Sequence, residues 1–229
     1  MKYTGDNVLD TMANCAINRN NSIYNLIVKY FNINNLSKPK SILEFGAGRG
    51  EFINRFLKFK NLTTFATELD KSYLKLLQQK HKSYIDLIQI TQKIDYIFAN
   101  DVLEHNKNDT EILIQMFQKL TTGGRLFIYV PARPELYSIF DKNIGHYRRY
   151  TIKDLRSKAI KAGFTIQKIQ YHDFLGYFAA VFNKFTSNGE LNPSAVHFYD
   201  KQLFPISQFI EKLFPVPIGK SIMMVAIKK

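Results

Sequence analysis

Short apolar runs alternate with amphipathic stretches through the middle of the chain. The apolar runs predict buried strands over residues 41–45, 63–68, 94–100, 126–130, 164–171 and 222–227, with one more inside 83–93. The amphipathic stretches predict helices over residues 52–57, 71–82, 109–120 and 152–162. Strands that alternate with helices favour a parallel sheet with right-handed crossovers. The pattern therefore indicates an α/β fold.

The two flanks of this region have different patterns. Residues 1–40 are polar, but an i, i+3, i+4, i+7, i+8 series predicts a helix, and its apolar members are Ile23, Leu26, Ile27, Tyr30 and Phe31. Residues 174–218 are aromatic-rich, punctuated by prolines and too apolar for a solvated linker. We expect them to form a helical cap over the sheet, or a surface for a partner. The core would then span residues 41–173, with its final strand in 219–229.

Three glycines at alternate positions follow the first predicted strand. Gly46, Gly48 and Gly50 stand in the pattern E-x-G-x-G-x-G, which begins at Glu44. A glycine turn between a strand and a helix brings backbone N–H groups against a ligand and leaves room for its approach. A dinucleotide fingerprint, G-x-G-x-x-G, would need glycine where Glu51 stands. Glu44 suits a ligand with a cationic amino group, and a purely structural turn is the alternative.

Composition limits the kinds of partner and the cellular compartment that we expect for this protein. The chain has 229 residues, of which 45% are apolar, and a formal net charge of +13. Its lysines are scattered along the whole chain, so we do not expect a nucleic-acid substrate. The one cysteine, Cys15, excludes an internal disulfide and a cysteine-based zinc site. The first ten residues lack the apolar region of a signal peptide, which leads us to expect a cytoplasmic protein.

Several further stretches appear in a fixed order after the glycine turn. They are Glu68 at the end of strand two, Ile94-Asp-Tyr-Ile-Phe-Ala-Asn-Asp-Val-Leu-Glu-His105, Gly123-Gly-Arg-Leu-Phe-Ile128 and Ile144-Gly-His-Tyr-Arg-Arg-Tyr150. With the LEFGAGRG turn, they make residues from about 12 to 227 resemble the class I S-adenosylmethionine-dependent methyltransferases. The resemblance is greatest to a bacterial group with a GHYRRY stretch and a hydrophobic C-terminal segment. It implies a Rossmann-like seven-stranded sheet whose last strand is antiparallel, with a helical cap insertion.

The resemblance also implies a cofactor, S-adenosyl-L-methionine, with S-adenosylhomocysteine as its product. The glycine turn, including Ala47, would wrap the methionine part, with Glu44 near the ammonium group. Glu68 would accept hydrogen bonds from both ribose hydroxyls, because a carboxylate accepts two O–H donors well, and Leu69 would pack on the adenine. The resemblance implies three further cofactor contacts. Asp86 would lie at the adenine edge, and Asn100 and Asp101 would lie beside the methionine moiety and the reacting centre.

Two histidines are candidate bases for the acceptor. His105 follows strand four and His146 follows strand five, so both fall at the ligand-binding edge of such a sheet. A histidine of near-neutral pKa would help if the acceptor is a hydroxyl. His146 is followed by Tyr147 and Arg148, and the paired arginines of this stretch can bind a carboxylate or phosphate. The alternatives are histidines that orient their loops and arginines that fix the next helix by salt bridges. Histidine spacing predicts no metal site.

The aromatic insertion bears on the acceptor. With the basic loop beside it, it favours a small-molecule or lipid- or sugar-linked acceptor with an apolar part, methylated at oxygen. The aromatic side chains could equally be the cap's own core. The alternative function is a non-catalytic membrane-surface or partner-binding module that keeps the fold, which the amphipathic stretch 203–214 supports. Residues 174–218 would then contact the inner face of the membrane peripherally.

Overall fold

The computed structural model describes residues 6–186 and 189–229. Residues 1–5 of the predicted N-terminal segment and residues 187–188 of the predicted cap lie outside the described residues. The strands are β1 (Lys40–Phe45), β2 (Leu62–Thr67), β3 (Lys82–Tyr84), β4 (Ile94–Asn100), β5 (Leu120–Pro131), β6 (Thr165–His172) and β7 (Ser221–Ile227). The helices are α1 (Asp6–Cys15), α2 (Ile17–Phe31), α3 (Lys71–Gln78), α4 (Asp109–Lys119), α5 (Ile139–Asn143), α6 (Ile152–Lys161), α7 (Phe174–Thr186), α8 (Pro193–Phe198) and α9 (Phe204–Leu213).

All seven strands form one sheet in the order β3-β2-β1-β4-β5-β7-β6. The five strands from β3 to β5 pair in parallel, and β7 is antiparallel to both β5 and β6. The predicted Rossmann-like sheet with an antiparallel last strand is confirmed. Because β1, β2 and β4 are parallel neighbours, their carboxyl ends meet at one edge, where ligands bind in open α/β sheets.

The sheet buries a hydrophobic layer on each face. Successive residues of β4 point to opposite faces, so Ile97 joins one layer and Phe98 the other. Helices α4 and α6 cover the first layer. The second lies under α2, whose inward residues Ile23, Ile27 and Phe31 are fully buried. The apolar series predicted for this N-terminal helix therefore faces the core.

The segment after the glycine turn is not the predicted helix over 52–57. It forms turns and a short 3-10 helix, Ile53–Phe56. Phe52, Ile53 and Phe56 are still buried, whereas Leu57 is 47% exposed, and the Phe56 ring lies 5.6 Å from the Phe98 ring, centroid to centroid. The apolar stripe thus correctly indicates most of the buried positions but not the element, because a tightly wrapped turn buries the same three residues. Helix α3 also ends earlier than predicted, at Gln78.

Strand β5 begins earlier than predicted, at Leu120. The sequence predicts a helix stop at the Thr-Thr-Gly-Gly stretch, but this stretch lies within the strand beside an irregularity in the pairing with β4. The N–H of Gly123 donates to the carbonyl of Lys228, and the N–H of Lys228 donates to the carbonyl of Gly124. Pairing with the end of the chain therefore satisfies this stretch's backbone, and the glycines permit its bend.

Residues 174–218 are largely helical and pack at one side of the sheet. The first turn of α7 is fixed to α9, because the N–H of Phe174 donates to Glu211 at 2.8 Å and that of Leu175 to Ser207 at 3.1 Å. Gln208 of α9 also accepts a hydrogen bond from Ser22 of α2 at 2.7 Å. None of the helices within residues 6–186 and 189–229 has both the length and the apolar content of a membrane span.

Candidate functional site

The glycine turn leaves β1 in a left-handed backbone conformation. Gly46, Gly48 and Gly50 have φ values of 71°, 53° and 85°. A Cβ on Gly46 would lie 2.6 Å from a methyl carbon of Val102, so packing requires glycine there. A Cβ on Gly48 would meet only Leu9, at 3.9 Å. The middle glycine thus faces open space that a ligand can enter.

The turn is anchored to the end of β2. The N–H groups of Gly46 and Ala47 donate to the carbonyl of Thr67 at 3.0 and 2.9 Å. The N–H of Gly48 donates to the Glu68 carboxylate at 2.7 Å. The structure therefore brings the glycine turn and the predicted ribose acid together. The other Glu68 oxygen accepts the N–H of Asp70 at 2.8 Å, and each carboxylate oxygen keeps further acceptor capacity.

Two other predicted residues lie near this end of the sheet. Leu69 follows Glu68 directly and is 66% exposed, so its side chain offers an apolar surface at the edge. Asp86 lies just beyond β3, where its carboxylate accepts the N–H of Gln89 at 3.1 Å. This contact closes a local turn, and Asp86 stays at the same end of the sheet as Glu68.

Glu44 is buried beneath the turn. Its carboxylate accepts the N–H of Ile53 at 2.8 Å, which ties β1 to the 3-10 segment. Burial raises the pKa of Glu44 well above its usual value, despite that hydrogen bond. The structure thus places Glu44 behind the glycine turn, where it supports the turn's conformation.

The end of β4 supplies the third part of the edge. Asp101 has a φ of 52°, unusual for a residue with a side chain. Its carboxylate forms an ion pair with Arg19 of α2 at 2.5 Å. The side-chain oxygen of Asn100 is buried and has no hydrogen-bond partner within the described ranges 6–186 and 189–229. Both predicted residues therefore present acceptor oxygens at the edge.

Arg19 is a site residue that the sequence interpretation missed. Its guanidinium lies 5.1 Å from the centre of the Tyr129 ring as well as against Asp101. Asp200 fixes the start of α2, because the Asp200 carboxylate accepts hydrogen bonds from the backbone N–H groups of Asn18 and Arg19. One feature of the sequence could have indicated a special role for Arg19, because it is the only arginine among the first 48 residues.

The side chains of the two candidate histidines are in contact. The rings of His105 and His146 lie 4.6 Å apart, centroid to centroid, in an edge-on arrangement. Burial, together with the neighbouring His146 ring, lowers the pKa of His105 to about 4. Its ring is therefore neutral at neutral pH. The loops that follow β4 and β5 thus bring the two candidate bases into contact.

His146 is oriented by a buried acid. Its Nδ1 lies 2.8 Å from the carboxylate of Asp141, which also accepts a hydrogen bond from Arg149 at 2.9 Å. Burial acts to raise the pKa of Asp141, but the hydrogen bond from His146 and the charge of Arg149 lower it to about 2. The ionised carboxylate only accepts, so Nδ1 carries the proton and Nε2 faces the cluster with its lone pair.

The rest of the GHYRRY stretch is divided between the surface and a second buried acid. Tyr147 is 58% exposed. Arg148 donates to Asp109 at 2.9 Å and to the carbonyl of Lys107 at 2.8 Å. Asp109 also accepts from Tyr150 at 2.8 Å. The structure therefore places Arg148 in a salt bridge at the start of α4, away from the histidine pair.

Glu104 is the second residue that the sequence interpretation missed. It lies between Leu103 and His105 and is fully buried. Its nearer carboxylate oxygen is 3.7 Å from Nε2 of His146. Burial and the charge of Asp101 raise its pKa well above the usual value. A glutamate inside an otherwise apolar Val-Leu-Glu run was a signal of this position.

Comparisons with known proteins agree with this geometry. The sequence profile of a family described as "Methyltransferase domain" matches residues 18–169. No curated protein sequence matches the chain. Among solved structures, the chain is similar to Haemonchus contortus phosphoethanolamine N-methyltransferase 2 in complex with S-adenosyl-L-methionine, with 16% identity, a TM-score of 0.60 and coverage of 90% of this chain and 52% of that chain.

Two further solved structures have the same fold. One is a chain of the complex that contains the Haloferax volcanii Trm112 methyltransferase activator, with 10% identity, a TM-score of 0.63 and coverage of 99% of this chain and 96% of that chain. The other is the cyclopropane synthase MmaA2 from Mycobacterium tuberculosis, with 15% identity, a TM-score of 0.58 and coverage of 88% and 82%. Identities this low establish the fold only.

Proposed function

Because this chain belongs to the methyltransferase domain family, we propose that it methylates an oxygen of a small-molecule or lipid- or sugar-linked acceptor. The cofactor of the family is S-adenosyl-L-methionine. When bound, it supplies an electrophilic methyl group on a sulfonium, so the protein's task is mainly to position a nucleophile. The observation that carries this proposal is the contact between the N–H of Gly48 and Glu68 beside open space.

The residues at the edge fit the cofactor's chemistry. The space above Gly48 admits a ligand, and Glu68 keeps lone pairs for two hydroxyl donors. Leu69 presents an apolar surface for a flat base. The carboxylate of Asp101 suits an ammonium group. It can bind one alongside Arg19, or after its ion pair with Arg19 has broken. This assigns the ammonium contact to Asp101, with Glu44 as a support behind the turn.

The histidine cluster supplies the acceptor side. His146 is held by Asp141 with its Nε2 lone pair directed into the cluster, so it can accept the proton of an acceptor hydroxyl. His105 lies against its ring and stays neutral at neutral pH. Tyr147 would border the entrance, because its side chain is exposed beside His146. We assign Arg148 to holding this loop through Asp109.

The exposed apolar residues of α7 to α9 favour an acceptor at a lipid surface. On α7 they recur at helical spacing, and the set from this region is Phe178, Phe182, Phe185, Phe198, Ile206, Phe209, Leu213 and Phe214. An exposed patch of this kind marks an interaction surface. The exposed lysines here are Lys184, Lys201 and Lys212, and cations beside apolar side chains suit an anionic bilayer.

The cofactor assignment is tested by isothermal titration with S-adenosylhomocysteine. We expect one molecule bound per chain. We expect no heat with NAD, because Glu51 stands where the dinucleotide spacing requires glycine. Absence of S-adenosylhomocysteine binding by the folded protein would overturn the proposal. The alternative, a surface module without turnover, predicts vesicle binding without cofactor binding.

The lipid-surface assignment is tested by flotation with vesicles of phosphatidylcholine, with and without phosphatidylglycerol. We expect binding that increases with the anionic lipid and falls in a Phe182→Ser/Phe209→Ser double variant. The matched control is Ile160→Ser, which removes an exposed apolar side chain from α6, outside the patch. Equal binding by the double variant would contradict the assignment. A solved neighbour belongs to a complex with an activator protein, so binding to a protein instead of vesicles is the competing outcome.

A further inference from the structure

Glu104 has a buried carboxylate that the described protein leaves unsatisfied. The residue is fully buried, and apart from its own backbone N–H neither side-chain oxygen has a hydrogen-bond partner within residues 6–186 and 189–229. Leaving a buried polar group unpaired destabilises the folded state, and more so if the group is charged. Such a group in a native protein calls for an explanation, and a bound ion is one of the few available.

The side chains around Glu104 converge at the separation of metal ligands. Glu104, His105 and His146 each offer one ligand atom, and these atoms lie within 4.8 Å of one another. The pair formed by Nε2 of His146 and Oε1 of Glu104 is separated by 3.7 Å. Ligand atoms of a tetrahedral zinc ion are about 3.4 Å apart, given bonds of about 2.1 Å. Small side-chain rotations would therefore complete the site.

Both histidines are already oriented by their other ring contacts. The Asp141 carboxylate accepts from Nδ1 of His146, and His105 is hydrogen-bonded to the backbone of Gly145. Metal-binding histidines are nearly always held in this way, by a carboxylate or a backbone carbonyl at the second nitrogen. The consequence for His146 is that its lone pair points at a carboxylate oxygen. A cation between these two atoms would bond to both.

The charges around Glu104 are compatible with a bound cation. The positive charges of Arg149 and Arg19 lower the pKa of Glu104, against the effect of burial. Each of these guanidinium groups is already paired, Arg149 with Asp141 and Arg19 with Asp101. Their positive charge is therefore largely balanced by those acids, and it does not replace a direct partner for Glu104.

We propose that Glu104, His105 and His146 bind one divalent transition-metal ion of the zinc class, with a fourth position open to an acceptor hydroxyl. Two imidazoles and a carboxylate are the ligand set of catalytic zinc sites that keep one position open. Mg²⁺ and Ca²⁺ prefer oxygen ligands throughout. With the ion bound, Nε2 of His146 would be a ligand and no longer the base, and the ion itself would lower the pKa of a bound acceptor hydroxyl, whose proton would leave to solvent. The metal site rests on these three residues, and only the use of its fourth position rests on the proposed function.

The site is tested by titrating the purified, chelator-treated protein with Zn²⁺ against a chromogenic chelator. We expect one ion per chain, and no competition from Mg²⁺ or Ca²⁺ at equal concentration. Glu104→Gln and His146→Asn should each weaken Zn²⁺ binding at least about 100-fold, because changes even one shell further out cost about 10- to 100-fold. Co²⁺ should give the visible absorption of a four-coordinate complex in the wild-type protein and lose it in both variants.

The matched control is His197→Asn, which removes an exposed histidine of α8 and should leave Zn²⁺ affinity unchanged. Circular dichroism checks the fold, and the nearly isosteric Glu104→Gln keeps the test decisive if His146→Asn is unstable. Zn²⁺ binding that is equal in Glu104→Gln and wild type would overturn the site, as would no stoichiometric binding. S-adenosylhomocysteine titration on the same samples separates the two proposals, because loss of cofactor binding with intact Zn²⁺ binding would contradict only the methyltransferase assignment.

Discussion

The two halves of the ligand-binding edge are held by different kinds of bond. Around the glycine turn, carboxylates accept hydrogen bonds from backbone N–H groups, whereas in the loops after β4 and β5 charged side chains pair with each other. The pairs are Glu68 with Gly48 and Glu44 with Ile53 in the first half, and Asp141 with His146 and Arg149 in the second. We call these the backbone half and the side-chain half.

This difference determines what each half can tolerate. A backbone N–H has no charge to lose and survives any substitution except proline, so the backbone half keeps its donors when one carboxylate is removed. In the side-chain half, removal of one partner leaves the other buried and unpaired. We therefore expect substitutions in the backbone half to weaken ligand binding, and substitutions in the side-chain half to weaken folding.

The largest effect should follow Asp141→Ala. It leaves the buried guanidinium of Arg149 without its carboxylate, and breaking a buried pair costs about 3–5 kcal/mol in the free energy of unfolding. Urea denaturation measures this loss. The matched control is Asp10→Ala, which breaks an exposed ion pair with Arg49 and should cost about 0–1 kcal/mol. Equal losses in the two variants would contradict the distinction between the halves.

The next largest effect should be a loss of S-adenosylhomocysteine binding in Gly48→Val. The β-branched side chain enters the space above the turn, and we expect S-adenosylhomocysteine affinity to fall at least about 100-fold, or about 2.7 kcal/mol. The left-handed backbone costs about 1–2 kcal/mol of stability. Gly123→Val is the control, because Gly123 has a φ of 78° and a Cβ there would meet nothing within 4 Å, but the residue lies away from the turn. It should lose similar stability and keep its affinity for the cofactor product.

Glu68→Ala should weaken S-adenosylhomocysteine binding by about 2 kcal/mol and leave stability almost unchanged. The carboxylate would provide charge-assisted hydrogen bonds to the ligand, while its contact with Gly48 is replaceable by water. Calorimetric titration measures the affinity, with Glu51→Ala as an exposed acidic control on the same turn. A loss of folding stability larger than the loss of binding would place Glu68 in the scaffold instead.

The backbone half was largely predictable from the sequence. Gly48 and Glu68 stand at the ends of two strands that the apolar pattern located, and parallel neighbours bring their carboxyl ends together. The same reasoning did not predict the element after the turn, because an apolar stripe records which positions are buried and not how the chain turns between them. The sequence also predicts Glu44 near the ammonium group of the ligand, which stays a prediction, and the structure buries this side chain with its carboxylate on the N–H of Ile53.

The side-chain half could be predicted only in part. The histidines could be assigned to one edge from the strands they follow, and they do meet. Their partners could not be assigned, because Glu104 and His146 are 42 positions apart in loops without periodicity. The ion pair of Arg19 with Asp101 likewise joins residues that are 82 positions apart. Pairing between loops depends on tertiary packing, which no local spacing records.

Acid should destabilise the protein through a buried histidine at the end of β6. Burial lowers the pKa of His172 to about 4, and its Nδ1 lies 2.8 Å from the Tyr129 hydroxyl. The unfolded chain has a histidine pKa of about 6.5. The unfolded state therefore binds more protons between these values, so the contribution is complete above pH 6.5 and is lost as pH falls toward 4.

The expected loss from His172 is about 1 kcal/mol in the free energy of unfolding between pH 7.5 and pH 5.5. Urea denaturation at the two values measures it, and His172→Gln should have a shallower dependence on pH. His197→Gln, at an exposed position on α8, is the control and should leave the dependence unchanged. An identical pH dependence in wild type and His172→Gln would show that another group carries the acid sensitivity.

The smallest effect should follow Arg148→Gln, in the side-chain half. Arg148 is partly exposed, and Asp109 keeps Lys158 and Tyr150 as partners after the change, so we expect a stability loss of about 1 kcal/mol or less. S-adenosylhomocysteine affinity should stay within about threefold, a change below about 1 kcal/mol. Because Arg148 holds the loop without touching the acceptor in our assignment, turnover should fall only slightly. A loss of turnover of about 100-fold at unchanged stability and cofactor affinity would instead make Arg148 an acceptor ligand, as its place in the GHYRRY stretch predicted.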